Sequence, residues 1–370
     1  MLNRTMTRRN FGRLSSVMAA GAALPFYNEA ALAQLSMIGP LPPGAVKINA
    51  NENPLGPCKE AAEAIARVIQ GGGRYMYEEA FSLAETLAEQ EGVPSSYVAP
   101  FAGSSDPLHR SVLAFTSSAR SFILSDPGYE AGQRAAQFVN ANVIRVPLTA
   151  DFKHDVKKMA SADANAGIIY ICNPNNPTGT ITPKEDIEWL VANKPAGAIV
   201  LLDEAYIHFA HSAEPASYLV AKDKDVIILR TFSKLYGMAG LRAGAAIGRP
   251  DLIDKLREFG AGALPVTGMV GAHASLKMKT LVPERRKITR DTRENVFEFL
   301  EKHSFSFVPS QSNKFMVDVK RPGHGVIRAM AQEKIFIGRV WPAWPTHVRV
   351  SIGTTDEMEK FKTAFLRVTA

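Results

Sequence analysis

Short apolar runs, each followed by a polar segment, recur along most of the chain. The runs 167–172, 198–202 and 226–230 are almost wholly apolar, which is typical of strands buried on both faces of a parallel sheet. Successive runs lie about thirty residues apart, enough for one crossover helix and its loops. The pattern predicts an α/β protein with a mainly parallel, seven-stranded sheet flanked by helices. The other strands are expected near residues 97–101, 121–124, 142–145 and 244–247.

A second set of apolar segments near the C-terminus predicts a smaller α/β domain. Its strands are expected over residues 305–309, 314–319 and 347–352. We place the large domain at residues 51–262 and the small domain at residues 263–370, with residues 34–50 packing against the small domain. A hinge near Gly260–Pro265 should let the two domains close over a substrate.

Polar side chains follow three of the apolar runs at the point where each run ends. Lys234 follows the third run named above, and Asp203 and Tyr206 follow the second. Asn176 lies in the asparagine- and proline-rich loop 173–179 after the first run. Open α/β folds bind ligands at the carboxyl edge of their strands, so we expect these side chains to meet in one crevice.

The side chains expected in this crevice suit pyridoxal phosphate. A lysine amine in a partly dry site has a lowered pKa and can form a Schiff base with an aldehyde. The cofactor also needs an anion beside its pyridine nitrogen and donors for its ring oxygen. Lys234 supplies the amine, Asp203 the anion, and Asn176 with Tyr206 the donors. Taken alone, Lys234 would be interpreted as an ordinary exposed lysine.

A phosphate-binding segment is predicted at residues 103–106, whose sequence is Gly-Ser-Ser-Asp. It follows a short apolar strand and opens a helix that continues to Phe115, so backbone N–H groups and the helix dipole would face a phosphate. Alternatively, Ser105 or Asp106 is a plain helix cap. The side chains expected to bind the phosphate are Ser104, Ser105, Thr231, Ser233 and Arg242.

Seven motifs, in this order along the chain, resemble the fold type I pyridoxal-phosphate-dependent aminotransferases, and within them the histidinol-phosphate aminotransferase branch. The motifs are residues 51–57, 103–106, 126–129, 173–179, 203–206, 231–234 with Arg242, and 349–353. The resemblance extends from about Lys47 to the C-terminus. The resemblance implies the fold of those enzymes and pyridoxal 5'-phosphate as the cofactor. It also implies an amino donor and a 2-oxo acid acceptor as substrates, and a homodimer with shared active sites.

The resemblance also implies a role for each residue of the crevice. Lys234 is expected to hold the cofactor and to move the proton from the substrate's α-carbon. Asp203 is expected to pair with the pyridine nitrogen, and Asn176 and Tyr206 with the ring oxygen. Tyr129 is expected to stack on the ring face, although a tyrosine that closes a Pro-Gly turn is the ordinary alternative.

Substrate recognition is expected from residues near the C-terminus. In the family that this chain resembles, Arg349 binds the α-carboxylate through its planar guanidinium, which a lysine could not reproduce. Arg339 stands where relatives often carry a second substrate arginine, and Asn53 is a further candidate. Tyr75 is expected to reach the partner subunit's cofactor phosphate. The tryptophans of 341–345 either form an aromatic wall over the substrate or pack the rim of the small domain.

The first 33 residues predict a twin-arginine signal peptide. Residues 7–13 carry the paired arginines, residues 14–24 are mildly apolar, and Ala-Leu-Ala at 31–33 is a cleavage motif. The apolar stretch is too short to anchor the protein in a membrane. We therefore expect export by the twin-arginine translocase and a mature chain that starts near Gln34, in the periplasm or outside the cell. The alternative is an amphipathic N-terminal helix of a cytoplasmic protein.

Composition excludes several other classes of function. The formal charge of the chain is +7, but the leader contributes +3 of it, so the remainder gives no reason to expect a nucleic acid partner. The eight histidines show no spacing suited to zinc, so no metal site is expected. Two cysteines in a chain of this length do not predict a disulfide framework.

The leading functional hypothesis is an aminotransferase that acts on an L-amino acid or an amino alcohol and a 2-oxo acid. The same site could instead support decarboxylation, retro-aldol cleavage or amino acid oxidation. A non-catalytic protein that binds pyridoxal phosphate or amino acids is the third possibility, against which the intact Lys234, Asp203 and Arg349 argue. Histidinol phosphate is not the expected substrate, because histidine synthesis is cytoplasmic and this chain carries an export signal.

Overall fold

The computed structural model describes residues 28–33, 36, 41–260 and 263–370. The first part of the chain contains α1 (Glu29–Ala33), β1 (Val46–Ile48), α2 (Lys59–Val68), α3 (Glu78–Glu91), β2 (Val98–Phe101), α4 (Ser105–Phe115), β3 (Ser121–Asp126), α5 (Ala131–Phe138), β4 (Val143–Pro147), α6 (Val156–Ser161), β5 (Ala166–Cys172), α7 (Lys184–Asn193), β6 (Ile199–Asp203), α8 (Ser217–Val220), β7 (Val226–Thr231) and β8 (Gly244–Gly248). The second part contains α9 (Pro250–Arg257), α10 (Val266–Lys277), α11 (Leu281–Lys302), β9 (Ser306–Val308), β10 (Lys314–Asp318), α12 (Gly323–Gln332), β11 (Ile335–Ile337), β12 (His347–Ser351) and α13 (Thr355–Thr369).

The seven-stranded sheet predicted from the apolar runs is confirmed. Its strand order is β2-β8-β7-β6-β5-β3-β4. Strands β3 to β7 pair in parallel, whereas β8 is antiparallel to both β2 and β7. The carboxyl ends of β5, β6 and β7 therefore lie side by side, which places the segments after them at one edge.

Two apolar cores explain why the central strands have no polar face. Alternate residues of β5 and β6 point to opposite faces of the sheet. Ile169 and Val200 belong to one core, and Ile168 and Leu201 belong to the other. Because helices cover both faces, each strand must be apolar on both sides.

The C-terminal part forms a smaller unit around a core of its own. An antiparallel sheet of order β12-β10-β9 packs beneath α11 and α13, with Phe315, Val350 and Phe361 fully buried. Strand β1 pairs in parallel with β11, so Val46 lies opposite Ile335. This pairing joins the segment before residue 50 to the C-terminal unit.

The end of the predicted leader takes part in the fold, although we expected residues 1–33 to lie outside it. Glu29–Ala33 is helical, and Leu32 and Ala33 are buried. Leu32 belongs to the same core as Ala99 and Phe101 of β2. The physical reason is that this stretch is apolar apart from Glu29, which finds cationic partners. The paired arginines lie outside the described residues, and cleavage after Ala33 stays a prediction.

Among the described residues, no helix combines the length and the apolar character needed to cross a lipid bilayer.

Candidate active site

A cavity of about 250 Å³ opens at the carboxyl edge of β5, β6 and β7. It brings together nearly all of the side chains predicted to bind the cofactor, although they come from distant parts of the sequence. They are Ser104, Ser105, Tyr129, Asn176, Asp203, Tyr206, Thr231, Ser233, Lys234 and Arg242.

Lys234 lies in the loop after β7, and its side chain is buried. Its Nζ donates to the carbonyl oxygen of Ala50 at 3.3 Å and lies 5.8 Å from the centre of the Tyr206 ring. The pKa of this amine is lowered from a usual value of 10.5 to about 8, mainly by burial and also by the charge of Arg349, while Glu29 opposes the change. The amine therefore has a substantial neutral, nucleophilic fraction near neutral pH.

This pKa predicts how the rate of attachment of pyridoxal phosphate to the cofactor-free protein depends on pH. The neutral amine is the reactive form, so the rate should rise about tenfold per pH unit below pH 8 and level off above it. The absorbance of the bound cofactor, followed after mixing at pH 6 to 10, measures this rate. A rate that keeps rising to pH 10 would show that Lys234 is an ordinary solvated lysine.

Asp203 ends β6 and points its carboxylate into the cavity from a buried position. Its Oδ2 accepts a hydrogen bond from the Tyr170 hydroxyl at 2.8 Å, and its Oδ1 accepts one from the Ala205 N–H at 3.0 Å. Burial raises the pKa of this carboxyl, and these hydrogen bonds only partly offset the rise. A cationic group beside Asp203 would remove this penalty, since it favours the ionised carboxylate.

A buried ion-pair network supports the strand ends that carry Asp203 and Lys234. Arg230 of β7 forms a salt bridge with Glu204, the residue after Asp203. Its Nε and Nη2 also bind Glu91 of α3, at 3.0 and 2.9 Å. Because buried charges are tolerated only when paired, this network holds β6 and β7 in fixed register behind the cavity.

The Tyr206 hydroxyl accepts a hydrogen bond from Nδ2 of Asn51 at 3.0 Å. Asn51 is itself held by Ser351, whose hydroxyl donates to its Oδ1 at 3.1 Å and accepts from its backbone N–H at 2.8 Å. Burial raises the pKa of Tyr206 well above its usual value, so the phenol is protonated and can donate. Asn51 thereby positions a hydroxyl that faces the cavity.

A candidate anion-binding end of the cavity lies at the N-terminus of α4. Ser104 and Ser105 line the cavity there. The Thr231 hydroxyl donates to Oγ of Ser233 at 3.0 Å, and Nη1 of Arg242 donates to the same oxygen at 3.2 Å. Backbone N–H groups, hydroxyls and one guanidinium are the donors that bind phosphate groups in proteins.

Gly103 allows Arg242 to approach this end of the cavity. Its φ is +88°, and a Cβ placed there would lie 2.2 Å from Nη2 of Arg242. A Gly103→Ala variant should therefore strain the backbone and displace the guanidinium. We expect its Kd for pyridoxal phosphate to rise about tenfold or more, because charged hydrogen bonds contribute about 1.5–3 kcal/mol each.

Equilibrium titration of the cofactor-free protein measures the effect at Gly103. Gly325 of α12 is the matched control, since a Cβ there meets nothing within 4 Å. An unchanged Kd in the Gly103→Ala variant would contradict the assignment of this end of the cavity to phosphate.

Arg349 and Arg339 lie beside the cavity and are both buried. Nη1 of Arg349 donates to Oδ1 of Asn176 at 2.9 Å, and its Nη2 donates to the backbone oxygen of Asn49 at 2.7 Å. Nη1 of Arg339 binds Glu130 at 2.7 Å. Both guanidinium groups lie over the ring of the buried Trp341, at 4.3 Å for Arg339 and 5.4 Å for Arg349. This tryptophan therefore packs beneath the arginines as a cation–π support.

Tyr129 lines the cavity, and its stacking on the cofactor ring stays a prediction. Burial raises the pKa of its phenol, and a hydrogen bond with the Ser105 side chain partly opposes this rise.

Asn53 and Tyr75 are not among the residues that line the cavity. Nδ2 of Asn53 donates to the backbone oxygen of Leu235 at 2.8 Å, and its Oδ1 accepts from the N–H of Leu55 at 3.1 Å. Asn53 thus supports the loop that carries Lys234 instead of facing the cavity. Tyr75 is 75% exposed and stacks on Tyr77, so a role in a partner subunit's site stays a prediction.

The sequence patterns missed two buried ionisable residues at this site. Glu29 lines the cavity and binds Arg349, but the leader prediction had set it aside. Lys314 of β10 lies with Nζ 3.1 Å from the centre of the Tyr206 ring and donates to Oγ of Ser312 at 2.9 Å. Burial lowers the pKa of Lys314 well below its usual value. An alternating strand pattern alone could not have marked it, because a lysine at a strand start is ordinarily exposed.

Comparison with known proteins identifies the family of this chain. A histidinol-phosphate aminotransferase of Moorella thermoacetica is 31% identical over 88% of this chain and 86% of its own length. An aromatic amino acid aminotransferase of Cutibacterium acnes is 33% identical over 85% of this chain and 90% of its own. The structure also resembles that of histidinol-phosphate aminotransferase from Sinorhizobium meliloti in complex with pyridoxal-5'-phosphate, with a TM-score of 0.83, 24% identity and coverage of 100% and 98%. The model of the family "Aminotransferase class I and II" matches residues 43–365, and the chain belongs to that family.

Proposed function

We propose that the protein is a pyridoxal-phosphate-dependent aminotransferase that moves an amino group between an L-amino acid, or an amino alcohol, and a 2-oxo acid. The observation that carries this proposal is one cavity that holds a buried amine at Lys234 and a buried carboxylate at Asp203, with Arg349 beside it. Membership of the aminotransferase class I and II family supports the same conclusion.

The residues present fit pyridoxal phosphate at both ends of the cavity. Asp203, whose pKa is raised by burial, suits a positively charged pyridine nitrogen. Ser105, Ser233 and Arg242 suit the phosphate at the opposite end. Lys234 carries the amine that would hold the aldehyde. The related protein from Sinorhizobium meliloti binds this cofactor.

Each side chain has a part in the transfer. Bound pyridoxal phosphate supplies an electron sink that acidifies the α-C–H bond of the amino donor. Lys234, once its Nζ is free, would accept the proton from that carbon on Nζ and donate it again later in the transfer. Its lowered pKa suits this work, because general acid–base catalysis is most efficient when the pKa lies near the working pH.

Arg349 would bind the substrate's carboxylate within electrostatic range of Lys234. Its guanidinium offers parallel donors to a carboxylate, and Asn176 beside it can donate to the same group. Arg339, 4% exposed in its side chain, adds positive charge on the same side. The structure thus favours donors and acceptors that carry a carboxylate next to the reacting carbon, as 2-oxo acids do.

Export and dimer formation are further parts of the proposal. The paired arginines at 8–9 and the Ala-Leu-Ala segment at 31–33 support transport by the twin-arginine translocase to the periplasm or the exterior. Four exposed apolar side chains on neighbouring segments, at Ile69, Tyr75, Tyr77 and Phe81, support a dimer interface. Sedimentation of the purified protein tests the second point, and a stable monomer at micromolar concentration would overturn it.

The test of the proposed function is a screen of amino donors against the protein loaded with cofactor. Aminotransfer predicts that a donor converts the cofactor to its amine form and releases one equivalent of 2-oxo acid, and that a different 2-oxo acid reverses the change. Peroxide formation would indicate an oxidase, and carbon dioxide release a decarboxylase. A cofactor spectrum that no amine changes would leave only a binding protein.

A further inference from the structure

Glu29 of α1 occupies the position where a substrate carboxylate is expected. Its Oε1 lies 2.5 Å from Nη2 of Arg349. Its Oε2 accepts a hydrogen bond from Nδ2 of Asn176 at 3.2 Å and lies 3.9 Å from Nη2 of Arg339. The chain therefore places its own carboxylate on the groups that the proposed function assigns to the substrate.

The rest of the segment holds Glu29 in place. Oδ1 of Asn28 accepts from the N–H of Ala31 at 2.9 Å, at the start of α1. Leu32 and Ala33 are buried, and the backbone oxygen of Ala33 accepts from the Ser36 hydroxyl at 2.9 Å. The carboxylate is thus delivered by a short, packed helix.

Glu29 is ionised under all ordinary conditions. Burial alone would raise the pKa of its carboxyl, but Arg349, Arg339 and Lys234 outweigh burial and lower the pKa to about 2. A substrate carboxylate in this position would need Nη2 of Arg349 and Nδ2 of Asn176, which Glu29 already binds, and two carboxylates at contact distance also repel each other. Binding of a substrate carboxylate and of Glu29 must therefore be mutually exclusive.

Glu29 satisfies the arginines only in part, so a better ligand can displace it. Within the described part of the chain, Nε of Arg349 and both Nε and Nη2 of Arg339 have no hydrogen-bond partner. Each buried donor without a partner lowers the stability of the folded state by about 1–3 kcal/mol. A carboxylate that enters without the constraint of a helix can use more of these donors than Glu29 does.

We propose that the segment 28–33 is a built-in inhibitor, in which Glu29 competes with the substrate for the carboxylate site until the segment is withdrawn or removed. The inference rests on the proposed function of that site. Cleavage after Ala33, as predicted from the sequence, would remove Glu29 together with α1. Export processing would then also be an activation step, and the unprocessed chain would stay nearly inactive.

The experiment compares the full chain with its Glu29→Gln variant, which keeps the shape of the side chain but removes the charge. The probes are 3-phenylpropionate and succinate, carboxylates that lack an amino group and cannot react. Calorimetric titration should give a Kd at least about tenfold lower for the variant, because a charged hydrogen-bonded competitor has been weakened. Glu63→Gln, which removes a half-exposed charge on α2, is the control and should leave the Kd unchanged.

A second readout does not depend on the variant. Amide hydrogen exchange of residues 29–33 in the unaltered chain should accelerate when a saturating probe is added, since the probe displaces the segment. Equal Kd values in the two chains within twofold, or exchange that the probe leaves unchanged, would overturn the inference. If Glu29→Gln does not fold, the exchange measurement alone decides.

Failure of this inference can be told apart from failure of the proposed function. Aminotransfer by the cofactor-loaded chain with no change in Kd on removing the charge would reject the inhibitor and keep the function. A tenfold change in Kd without any reaction of amines with the cofactor-loaded Glu29→Gln variant, in which the inhibitory charge is gone, would reject the function and keep the competition for the site.

Discussion

A Lys234→Ala variant is expected to lose about 10⁴-fold or more in kcat, the largest effect of any single substitution in this chain. Proton transfer by a positioned side chain contributes about 10²–10⁴-fold, and the variant also loses the amine that attaches the cofactor. The measurement is single-turnover conversion of the bound cofactor by an amino donor. A loss smaller than about tenfold would mean that another group moves the proton.

The same variant should fold at least as well as the unaltered protein. The pKa of the Lys234 amine is lowered by burial, so the folded state carries a cost for its charge that alanine removes. Thermal unfolding of the cofactor-free proteins therefore separates the catalytic effect from a folding defect. Lys59→Ala, at an exposed position on α2, is the matched control and should change neither activity nor stability.

An Arg349→Lys variant is expected to lower kcat/KM by about 10²-fold or more, with most of the effect in KM. A lysine keeps the charge, but its single ammonium cannot make two parallel hydrogen bonds to a carboxylate. It also cannot bind both Asn176 and the Asn49 carbonyl, as Arg349 does. Loss of one member of a buried charge pair costs about 2–5 kcal/mol, which agrees with this range.

Steady-state kinetics with several amino donors measures the loss at Arg349. The factor by which kcat/KM falls should be similar for donors with different side chains, because each presents the same carboxylate to Arg349. Arg67→Lys, at an exposed position on α2, is the control. A loss confined to one donor would place Arg349 at the side-chain pocket and not at the carboxylate.

The fold could be predicted because its strands are defined by local sequence. Residues of β5 and β6 alternate between two apolar cores, and that arrangement requires an apolar residue at each position. The site followed from the same strands, because Asp203 and Lys234 lie where β6 and β7 end. Position at a strand end is a property that the sequence shows directly.

Contacts between distant segments could not be predicted from any local pattern. Glu29 and Arg349 are 320 residues apart, and nothing in the sequence near either residue indicates that they meet. Local composition at Glu29 predicted the opposite of what the structure shows, because an alanine-rich stretch before Ala33 favours a leader outside the folded domain. Lys314 was missed for a similar reason, because its burial depends on β12 and on Tyr206.

Asn53 shows how a motif can reach the site while one residue within it does not line the cavity, so that its role in substrate binding stays a prediction. The segment 51–57 does reach the site through Asn51, which binds Tyr206. Asn53, two residues later, turns to the backbone of Leu235. The sequence gives the position of the motif, whereas the direction of each side chain depends on the backbone conformation within it.

Borohydride reduction of the cofactor-loaded protein, followed by peptide mass mapping, shows which lysine binds pyridoxal phosphate. Two buried lysines, Lys234 and Lys314, lie near the Tyr206 ring and are close enough for their charges to repel each other. Only Lys234 is proposed to bind the cofactor. We predict a coloured protein before reduction and one pyridoxyl group on Lys234 afterwards. A colourless protein without an adduct, or an adduct on Lys314 instead, would contradict the assignment.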